Sequence, residues 1–452
     1  MKKKIVLIGS GSQFTQFFLQ EFFKYERFRG ATLVFVDRKE ARLEQELALA
    51  RSINGFLEFD AKIEGYADFK DALPGADFVY CFAAVNGTET WKKEFSIAQK
   101  HGLNPFEAYT AGAPGLGMAI RHVPLMLDIA AEMEKLCPDA WLILDNNPLA
   151  KMLAALAKYT KVKHIGYCNG HELMQMLIEQ FLDKTDRDAS LIDADPVERE
   201  FMVPSGSVDL LLAGINHVQW ILKATDTKTG EDLLPLLFKK IGEQNIEQYP
   251  LGYKFTFEIA KLLGCIPSPA DNHSGDYIWC IGKDLTNAAG LGPFDVDTWF
   301  GGMDADDWAK LAGTVTNKEQ AQTYIKQRRT GWYNVLIAHE MSYGTPVYFP
   351  AINTVNKGAI ENLSDDLIVE VPGVIGPDYI RPVNVGRLPD HIAAICELHG
   401  RINNLVGEAA AEGDREKALQ ALLLDPFIHD VTAAKGILAD TLEYNKQYET
   451  RF

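Results

Sequence analysis

The stretch Ile5-Val-Leu-Ile-Gly9-Ser-Gly11-Ser-Gln13-Phe14 decides the fold of this chain. Its four apolar residues have the length of one buried strand, and two glycines follow them. An amphipathic segment rich in phenylalanine, 13–25, comes next. Gly9 permits a tight turn, and Gly11, which lacks a side chain, lets the backbone lie close to a group bound at the start of a helix. The stretch therefore predicts a strand, a glycine turn and a helix.

Short apolar segments alternate with helical segments through the first half of the chain. The predicted strands are Lys4–Ile8, Thr32–Asp37, a short one containing Ile63, Asp77–Ala83, Trp141–Leu144 and His164–Tyr167. A long helix is expected at Ala119–Leu136. Strands that alternate with helices in this way are typical of a parallel sheet with helices on both faces. We predict the α/β class, with a Rossmann-type doubly wound parallel sheet and a second α+β domain.

The pattern changes near residue 195, where we place the domain boundary. A strand-rich segment, 200–224, is followed by helices and irregular segments, and a long helical tail begins at Asp390. At 452 residues the chain is about three times as long as a typical domain, so two packed lobes are expected. The sequence therefore predicts a Rossmann domain over residues 1–195 and an α+β domain over residues 196–452.

A carboxylate ends the second predicted strand. Asp37 lies 26 residues after Gly11, where an acidic side chain accepts hydrogen bonds from both ribose hydroxyls of NAD and repels the 2′-phosphate of NADP. The third glycine of the usual fingerprint is replaced by Phe14. The alternative is a glycine turn in some other α/β protein, with an ordinary Asp at a strand end. We predict an NAD site formed by Gly9, Gly11, Ser12, Gln13, Asp37 and Asn86.

Three polar clusters follow predicted strands, and ligands of open α/β sheets bind beyond the carboxyl ends of the strands. The clusters are 145–148 (Asp-Asn-Asn-Pro), 167–171 (Tyr-Cys-Asn-Gly-His) and 214–217 (Gly-Ile-Asn-His). If they converge, Cys168 and His217 supply two ligands to a divalent metal, and substrate hydroxyls and water fill the other positions. The alternative is a buried cysteine and a hydrogen-bonded core histidine. A fourth polar stretch, 269–277, predicts either a pocket wall or a solvated loop.

The composition limits the possible partners. A formal net charge of −17 argues against nucleic acid and anionic membranes, although a small anionic substrate stays compatible with it. The six cysteines are far apart and form no CxxC pair. The N-terminal apolar run is too short for a signal peptide or a membrane span. We therefore expect a reduced, soluble, cytoplasmic protein that binds neither nucleic acid nor membrane.

Taken in order, these segments resemble glycoside hydrolase family 4, the NAD- and divalent-metal-dependent glycosidases. The resemblance covers nearly the whole chain. It includes the glycine turn with Asp37, Asn147-Pro148, Cys168 and Gly-Ile-Asn-His217. Further matching stretches are Gly112–Gly117 followed by Arg121, then 353–363, 386–389 and 413–422. No single piece is specific by itself, but the ordered series is.

The resemblance implies a glycosidase that uses NAD and Mn²⁺, or a similar divalent ion, on a small carbohydrate. Its route is oxidation at C3 of the sugar, loss of the proton at C2, elimination of the glycosidic oxygen, addition of water and return of the hydride. Cys168 and His217 hold the metal in this scheme, and Asn147 contacts substrate hydroxyls. The pattern Ile-Pro-x-x-x-Asp-x-His at 266–273 resembles members that act on α-linked uronic acids, such as α-galacturonidases. A related NAD-dependent group that cleaves sulfonated sugars is the other possibility.

Roles for further residues follow from the same resemblance. Tyr277 matches the region that supplies a tyrosine base in some members, and an amphipathic residue of the pocket wall is the alternative. Asp271 is a candidate catalytic residue, and His273 and Arg121 are candidate substrate-binding residues. The metal, the substrate and the oligomer contacts are assigned to residues 196–452, in a homodimer or homotetramer.

The chain departs from the family pattern after Cys168. Many members have Asp or His at the next position, where the side chain assists departure of the leaving group. Here the residue is Asn169, whose amide cannot donate a proton as an acid. His171, two residues later, is one candidate replacement, and a good leaving group or a water molecule is the alternative.

Two other functions compete with this hypothesis. A 2-hydroxyacid dehydrogenase of the lactate/malate type has the same glycine turn and acidic residue. Such enzymes are much shorter, use no metal-binding cysteine and accumulate NADH with their product. A non-catalytic NAD-binding sensor is the second alternative, but nothing in the chain resembles a DNA-binding appendage.

Overall fold

The computed structural model describes residues 2–12, 14–103, 110–184, 204–250, 252–278, 315–326, 333–448 and 451–452. The strands are β1 (Lys4–Ile8), β2 (Thr32–Val36), β3 (Lys62–Tyr66), β4 (Phe78–Cys81), β5 (Trp141–Leu144), β6 (Lys163–Gly166), β7 (Val208–Ile215), β8 (Val218–Asp226), β9 (Ile266–Ser268), β10 (Val347–Val355), β11 (Ile368–Gly376) and β12 (Tyr379–Pro382).

The helices in this part of the chain number fifteen, besides a 3₁₀ turn at Glu26–Phe28. They are α1 (Phe14–Phe22), α2 (Glu40–Phe56), α3 (Phe69–Ala72), α4 (Gly87–Lys100), α5 (Gly112–Leu136), α6 (Leu149–Tyr159), α7 (Gly170–Phe181), α8 (Leu234–Gly242), α9 (Lys254–Leu263), α10 (Asp271–Tyr277), α11 (Lys318–Lys326), α12 (Tyr333–Tyr343), α13 (Asp390–Glu412), α14 (Arg415–Leu424) and α15 (Val431–Asn445). None of them combines the length and the apolar character that a membrane span requires.

The twelve strands of the described ranges form one sheet in the order β3-β2-β1-β4-β5-β6-β10-β11-β7-β8-β9, with β12 on β11. The six strands from β3 to β6 are parallel, as the alternation of strands and helices predicts. From β6 onward the pairs are antiparallel, beginning with Asn353 of β10 opposite Gly166. The predicted α/β class with a Rossmann-type sheet is confirmed.

Helices cover both faces of the parallel half because side chains alternate across its strands. Val6 and Ile8 of β1 pack in a core with α5, α6 and the C-terminal helices. Ile5 and Leu7 pack on the opposite face with α1, α2 and α12. The C-terminal helices thus cover one face of the N-terminal half. The division into two domains near residue 195 stays a prediction, and that residue lies outside the described part.

Some helix limits differ from those expected. Helix α1 ends at Phe22, before the expected Tyr25, and α5 begins at Gly112, before the expected Ala119. The glycines and proline of 112–117 favour a loop in the sequence. Pro114 is nevertheless compatible with the first turn of a helix, where its missing N–H has no intrahelical partner to lose.

Candidate active site

The glycine turn after β1 is packed between the ends of β2 and β4. Gly9 has a φ of 79°, and a Cβ on it would lie 2.5 Å from the backbone N and Cα of Ala83. The N–H groups of Gly9 and Ser10 donate to the carbonyl of Val36 at 2.9 and 3.0 Å. Both the positive φ and the close approach require glycine at this position.

Asp37 forms a hydrogen bond with the same glycine turn. Its Oδ2 accepts from the N–H of Gly11 at 2.8 Å, and its Oδ1 accepts from the N–H of Lys39 at 2.8 Å. A Cβ on Gly11 would lie 2.7 Å from that Oδ2. The carboxylate is partly exposed at the carboxyl end of β2, where a Rossmann unit binds the ribose of its dinucleotide. Gly9, Gly11 and Asp37 form a cradle in which no side chain projects from the two glycines. This cofactor cradle fits NAD.

The other predicted cofactor residues differ in their surroundings. Ser12 belongs to the glycine turn, and its Oγ accepts from the N–H of Phe14 at 3.4 Å. Asn86 precedes α4, and its side chain donates to the Tyr448 hydroxyl at 3.2 Å. Gln13 lies outside the described residues. The structure therefore places Ser12 with Gly9 and Gly11, whereas the Asn86 side chain contacts the C-terminal segment.

The loop after β5 reaches the cofactor cradle. The side chain of Asn146 donates to the carbonyl of Ala83, the residue against which the glycine turn packs, at 2.7 Å. His122 of α5 accepts from the N–H of Val85 through Nε2 at 3.0 Å. Its Nδ1 therefore carries the hydrogen of the neutral ring, and it donates to the carbonyl of Asn147 at 2.6 Å. These contacts fix Asn147, a predicted substrate residue, beside the cradle.

Cys168 lies in the loop after β6, next to the loop after β7. The side chain of Asn216, the residue before His217, acts to lower the pKa of its thiol, so the two side chains are close to each other. Burial, followed by the charge of Glu370, raises the pKa of the thiol well above its ordinary value. A divalent cation supplies the charge that favours the thiolate. The structure thus brings Cys168 and the loop of His217 together.

His217 is buried in its neutral form, which is the form that binds metals. Burial lowers its pKa well below the ordinary value, and the charges of His273 and Lys151 add to this effect. Its Nδ1 lies 3.2 Å from the Thr110 hydroxyl, so Nε2 is the nitrogen left for a metal.

Few side chains of this site can serve as metal ligands. No group of three or more His, Cys, Asp or Glu side chains in the described ranges could hold an ion. A metal bound by Cys168 and His217 would therefore keep positions open for substrate oxygens, as catalytic sites do. A thiolate and an imidazole fit a divalent transition metal.

Tyr277 ends α10 beside His217. Its hydroxyl lies 2.7 Å from Thr110 Oγ1 and donates to the carbonyl of Asn216 at 3.3 Å. The Nε2 of His399 donates a hydrogen bond to the carbonyl of Tyr277 at 2.8 Å. Burial raises the pKa of the phenol above its ordinary value, so a nearby cation is needed for this residue to act as a base.

The polar stretch 269–277 divides into residues with different surroundings. The His273 ring packs edge-on against the His217 ring, with centroids 4.4 Å apart. The Asp271 carboxylate instead accepts from the N–H groups of Phe255 and Thr256 at 3.1 and 2.7 Å, in the first turn of α9. Burial raises the pKa of Asp271 to about 6. The Asp271 carboxylate therefore holds the N-terminus of α9, and its catalytic role stays a prediction.

Arg121 also has surroundings that differ from those expected. Its buried guanidinium pairs with Glu94 of α4 and donates to Asn445 of α15 at 2.7 Å. It joins three helices, and its neighbour His122 is the residue that contacts the loop of Asn147. The Arg121 side chain therefore contributes to the packing of these helices, and its substrate contact stays a prediction.

Asn169 and His171 lie at the start of α7. The Asn169 carbonyl accepts from the N–H of Glu172 at 3.0 Å in the first turn. His171 is buried, and its ring is 6.3 Å from the Tyr167 ring, centroid to centroid. Burial lowers its pKa to about 4, so the imidazole is neutral near pH 7.

A row of buried polar residues crosses the sheet below these loops. The row consists of Asn353, Glu370, Gln219 and Ser268, on β10, β11, β8 and β9. Asn216 donates to Glu370 Oε2 at 3.0 Å. Burial raises the pKa of Glu370 to about 7. Glu370 of this row thus fixes the side chain of Asn216, the residue before His217.

The sequence reasoning missed several residues of this site. Glu370 and Lys151 could have been noticed in the sequence. Each is a charged residue within an apolar segment, Ile368–Val371 for Glu370 and Leu149–Leu153 for Lys151. No sequence feature indicates Thr110, because its two partners, His217 and Tyr277, lie 107 and 167 residues away along the chain.

Comparison with known proteins identifies the family. The family model "Family 4 glycosyl hydrolase" matches residues 4–184, and "Family 4 glycosyl hydrolase C-terminal domain" matches residues 212–428. An alpha-galactosidase of Bacillus subtilis is 26% identical over 97% of this chain and 96% of its own length. An alpha-galacturonidase of Thermoanaerobacter italicus is 25% identical over 98% and 97%. The crystal structure of a 6-phospho-alpha-glucosidase from gut microorganisms, in complex with NAD and Mn²⁺, has a TM-score of 0.79 at 21% identity and shares the fold, with 99% of each chain covered.

The two family models span both halves of the chain, including the glycine turn and the loops of Cys168 and His217. Both models describe glycosyl hydrolases, so the hydroxyacid dehydrogenase is the weaker alternative. The protein belongs to glycoside hydrolase family 4, and it is a glycosidase that uses NAD and a divalent metal.

Proposed function

We propose that this glycosidase cleaves the glycosidic bond of an α-linked acidic sugar, a uronide. In this proposal Cys168 and His217 hold Mn²⁺ or a similar ion, Gly9, Gly11 and Asp37 hold NAD, and Tyr277 is the base. One observation carries the proposal. The Tyr277 hydroxyl and the His217 ring are linked through Thr110 in one buried cluster, and the Cys168 thiol is close to Asn216, whose carbonyl accepts from Tyr277.

When bound, NAD takes up and later returns a hydride at C3 of the sugar, and the divalent ion polarises the neighbouring oxygens. Tyr277 takes the proton at C2, which is acidic while C3 is a ketone, and the glycosidic oxygen can then depart. Asn147 orients the sugar hydroxyls next to the cradle of Gly9 and Gly11. The burial of the Tyr277 hydroxyl excludes water, which strengthens the electrostatic effect of the neighbouring cation.

Neither Asn169 nor His171 supplies a proton to the departing oxygen. Asn169 has no acidic proton to give. The His171 imidazole is neutral near pH 7, because burial lowers its pKa to about 4. We infer that the leaving group takes its proton from water.

The preference for a uronide rests on the sequence pattern that contains His273. This residue ends the pattern at 266–273 that resembles α-galacturonidases, and its ring lies against the metal ligand His217. The Nδ1 of His273 donates to Asn272 Oδ1 at 2.9 Å, so Nε2 of the neutral ring is left to accept a hydrogen bond from a hydroxyl of the sugar. The alpha-galacturonidase of T. italicus is similar along nearly the whole chain, which supports the same choice.

We further propose that the enzyme works in the cytoplasm as a homodimer or homotetramer, with the domain boundary near residue 195. The formal charge of −17 supports the absence of nucleic acid and anionic membranes among its partners. Light scattering coupled to size-exclusion chromatography measures the oligomeric state, and a monomeric mass would overturn that part.

Turnover of a panel of aryl glycosides tests the proposal. The panel contains α- and β-linked galacturonides, glucuronides, galactosides and 6-phosphoglucosides, with NAD and Mn²⁺ each added and withheld under reducing conditions. We expect release from an α-uronide only when both are present, without lasting absorbance of NADH. Release from neutral or phosphorylated glycosides alone would overturn the substrate assignment. NADH that accumulates with a free hydroxy acid would overturn the glycosidase cycle.

A further inference from the structure

Thr110 lies between the proposed metal ligand and the proposed base. Its Oγ1 is 3.2 Å from His217 Nδ1 and 2.7 Å from the Tyr277 hydroxyl. All three side chains are buried, so water does not compete for these hydrogen bonds. Thr110 belongs to none of the motifs that point to the family.

The direction of these hydrogen bonds follows from counting donors. A threonine hydroxyl has one hydrogen to donate and lone pairs that accept. When His217 gives Nε2 to a metal, its Nδ1 carries the ring hydrogen and donates to Thr110 Oγ1. The Thr110 hydrogen is then directed at the Tyr277 oxygen. The Tyr277 hydroxyl can still donate to the carbonyl of Asn216, 3.3 Å away.

The opposite direction is incompatible with metal binding. If Thr110 donated to Nδ1, the neutral His217 ring would carry its hydrogen on Nε2, which is the coordinating position. The hydroxyl would then have no hydrogen to offer the Tyr277 oxygen. A bound metal and a hydrogen bond to the Tyr277 oxygen therefore require the same orientation of Thr110.

We propose that Thr110 is a positioning residue that orients His217 for the metal and gives a hydrogen bond to the oxygen of Tyr277. This inference rests on the proposed roles of His217 and Tyr277. It adds a residue through which the metal site and the base depend on each other. A hydrogen bond to the second nitrogen of a metal-bound histidine raises metal affinity by about 10–100-fold.

A buried lysine anchors Thr110 from the other side. The Lys151 ammonium donates to the carbonyl of Thr110 and to Asn403 Oδ1, the latter at 2.7 Å. Lys151 lies in the first turn of α6, directly after the loop of Asn147. The backbone of Thr110 is thus attached to the helix that begins at the substrate loop, and this fixes the position of its hydroxyl.

Two substitutions of Thr110 test the proposal. Thr110→Val keeps the shape and removes the hydroxyl, whereas Thr110→Ser keeps the hydroxyl. Mn²⁺ affinity is measured without substrate from the EPR signal of free Mn²⁺. We expect Thr110→Val to weaken binding by about 10–100-fold and Thr110→Ser to stay within a few-fold of the wild type. With saturating Mn²⁺, Thr110→Val should lower kcat on the aryl glycoside by at least about 10-fold with little change in KM, because the oxygen of Tyr277 loses a donor.

A control variant separates this effect from a loss of fold. Thr441 is equally buried on α15, outside the site, and Thr441→Val should leave both Mn²⁺ affinity and kcat unchanged. Thr110→Val with wild-type Mn²⁺ affinity would overturn the inference, as would a Thr110→Ser variant as weak as Thr110→Val. A wild-type protein that binds no Mn²⁺ would instead overturn the proposed metal site itself.

Discussion

Replacing Gly11 with alanine tests how the glycine turn and Asp37 form the NAD site together. The new Cβ would lie 2.7 Å from Asp37 Oδ2 and 3.0 Å from Arg42 Cδ. Ordinary contacts begin near 3.4 Å, so the carboxylate has to retreat by roughly 0.7 Å in a close-packed loop. That shift breaks the 2.8 Å hydrogen bond from the N–H of Gly11 and moves the carboxylate away from the ribose position.

The size of the effect follows from one charged hydrogen bond. A hydrogen bond to a charged group contributes about 1.5–3 kcal/mol, so NAD should bind about 10–150-fold more weakly to Gly11→Ala. Isothermal titration with NAD measures the Kd. Gly55→Ala is the matched control, because Gly55 lies in α2 with open space around its Cα. The control should keep the wild-type Kd and gain about 0.5–1 kcal/mol of stability. A folded Gly11→Ala protein with a Kd within twofold of the wild type would refute this account of the cradle.

Three further predictions concern the metal, the leaving group and pH. Cys168→Ser should abolish Mn²⁺ binding and turnover while the Kd for NAD stays unchanged, and an active variant would exclude Cys168 as a ligand. Because Asn169 cannot act as an acid, log kcat/KM on aryl glycosides should fall steeply as the pKa of the leaving phenol rises when departure limits the rate, and a flat plot without an isotope effect from deuterium at C2 or C3 would contradict this. Burial raises the pKa of Glu46 to about 8, so the folded protein binds a proton that the unfolded chain has released above pH 4.5. The free energy of unfolding should therefore fall as pH rises from about 4.5 to 8, by about 2–4 kcal/mol more in the wild type than in Glu46→Gln, and parallel denaturant curves for the two proteins would contradict this.

Much of the parallel half could be predicted from the sequence because its strands are buried on both faces. Such strands stand out as short apolar runs, and β1, β2, β4, β5 and β6 do so. The glycine turn and Asp37 were predictable for a related reason. Their chemistry depends on neighbours close in sequence and on a supersecondary unit with fixed spacing.

The antiparallel half was harder because its pairings join distant segments. Gly166 faces Asn353, and Glu370 faces Gly214, and no local pattern specifies either register. The roles of Asp271 and Arg121 depend on tertiary neighbours in the same way. A polar residue in a pocket-like stretch looks the same in sequence whether it faces a substrate or a helix N-terminus. Thr110 is the clearest case, since its partners come from two other parts of the chain.

Hydrolysis of the active aryl glycoside in D₂O is the decisive measurement for the redox route. If Tyr277 removes the proton at C2 and solvent later replaces it, the released sugar should carry deuterium at C2. The absorbance of NADH should not rise during the reaction. A released sugar that keeps its original hydrogen at C2 would contradict the route and point to direct displacement at C1.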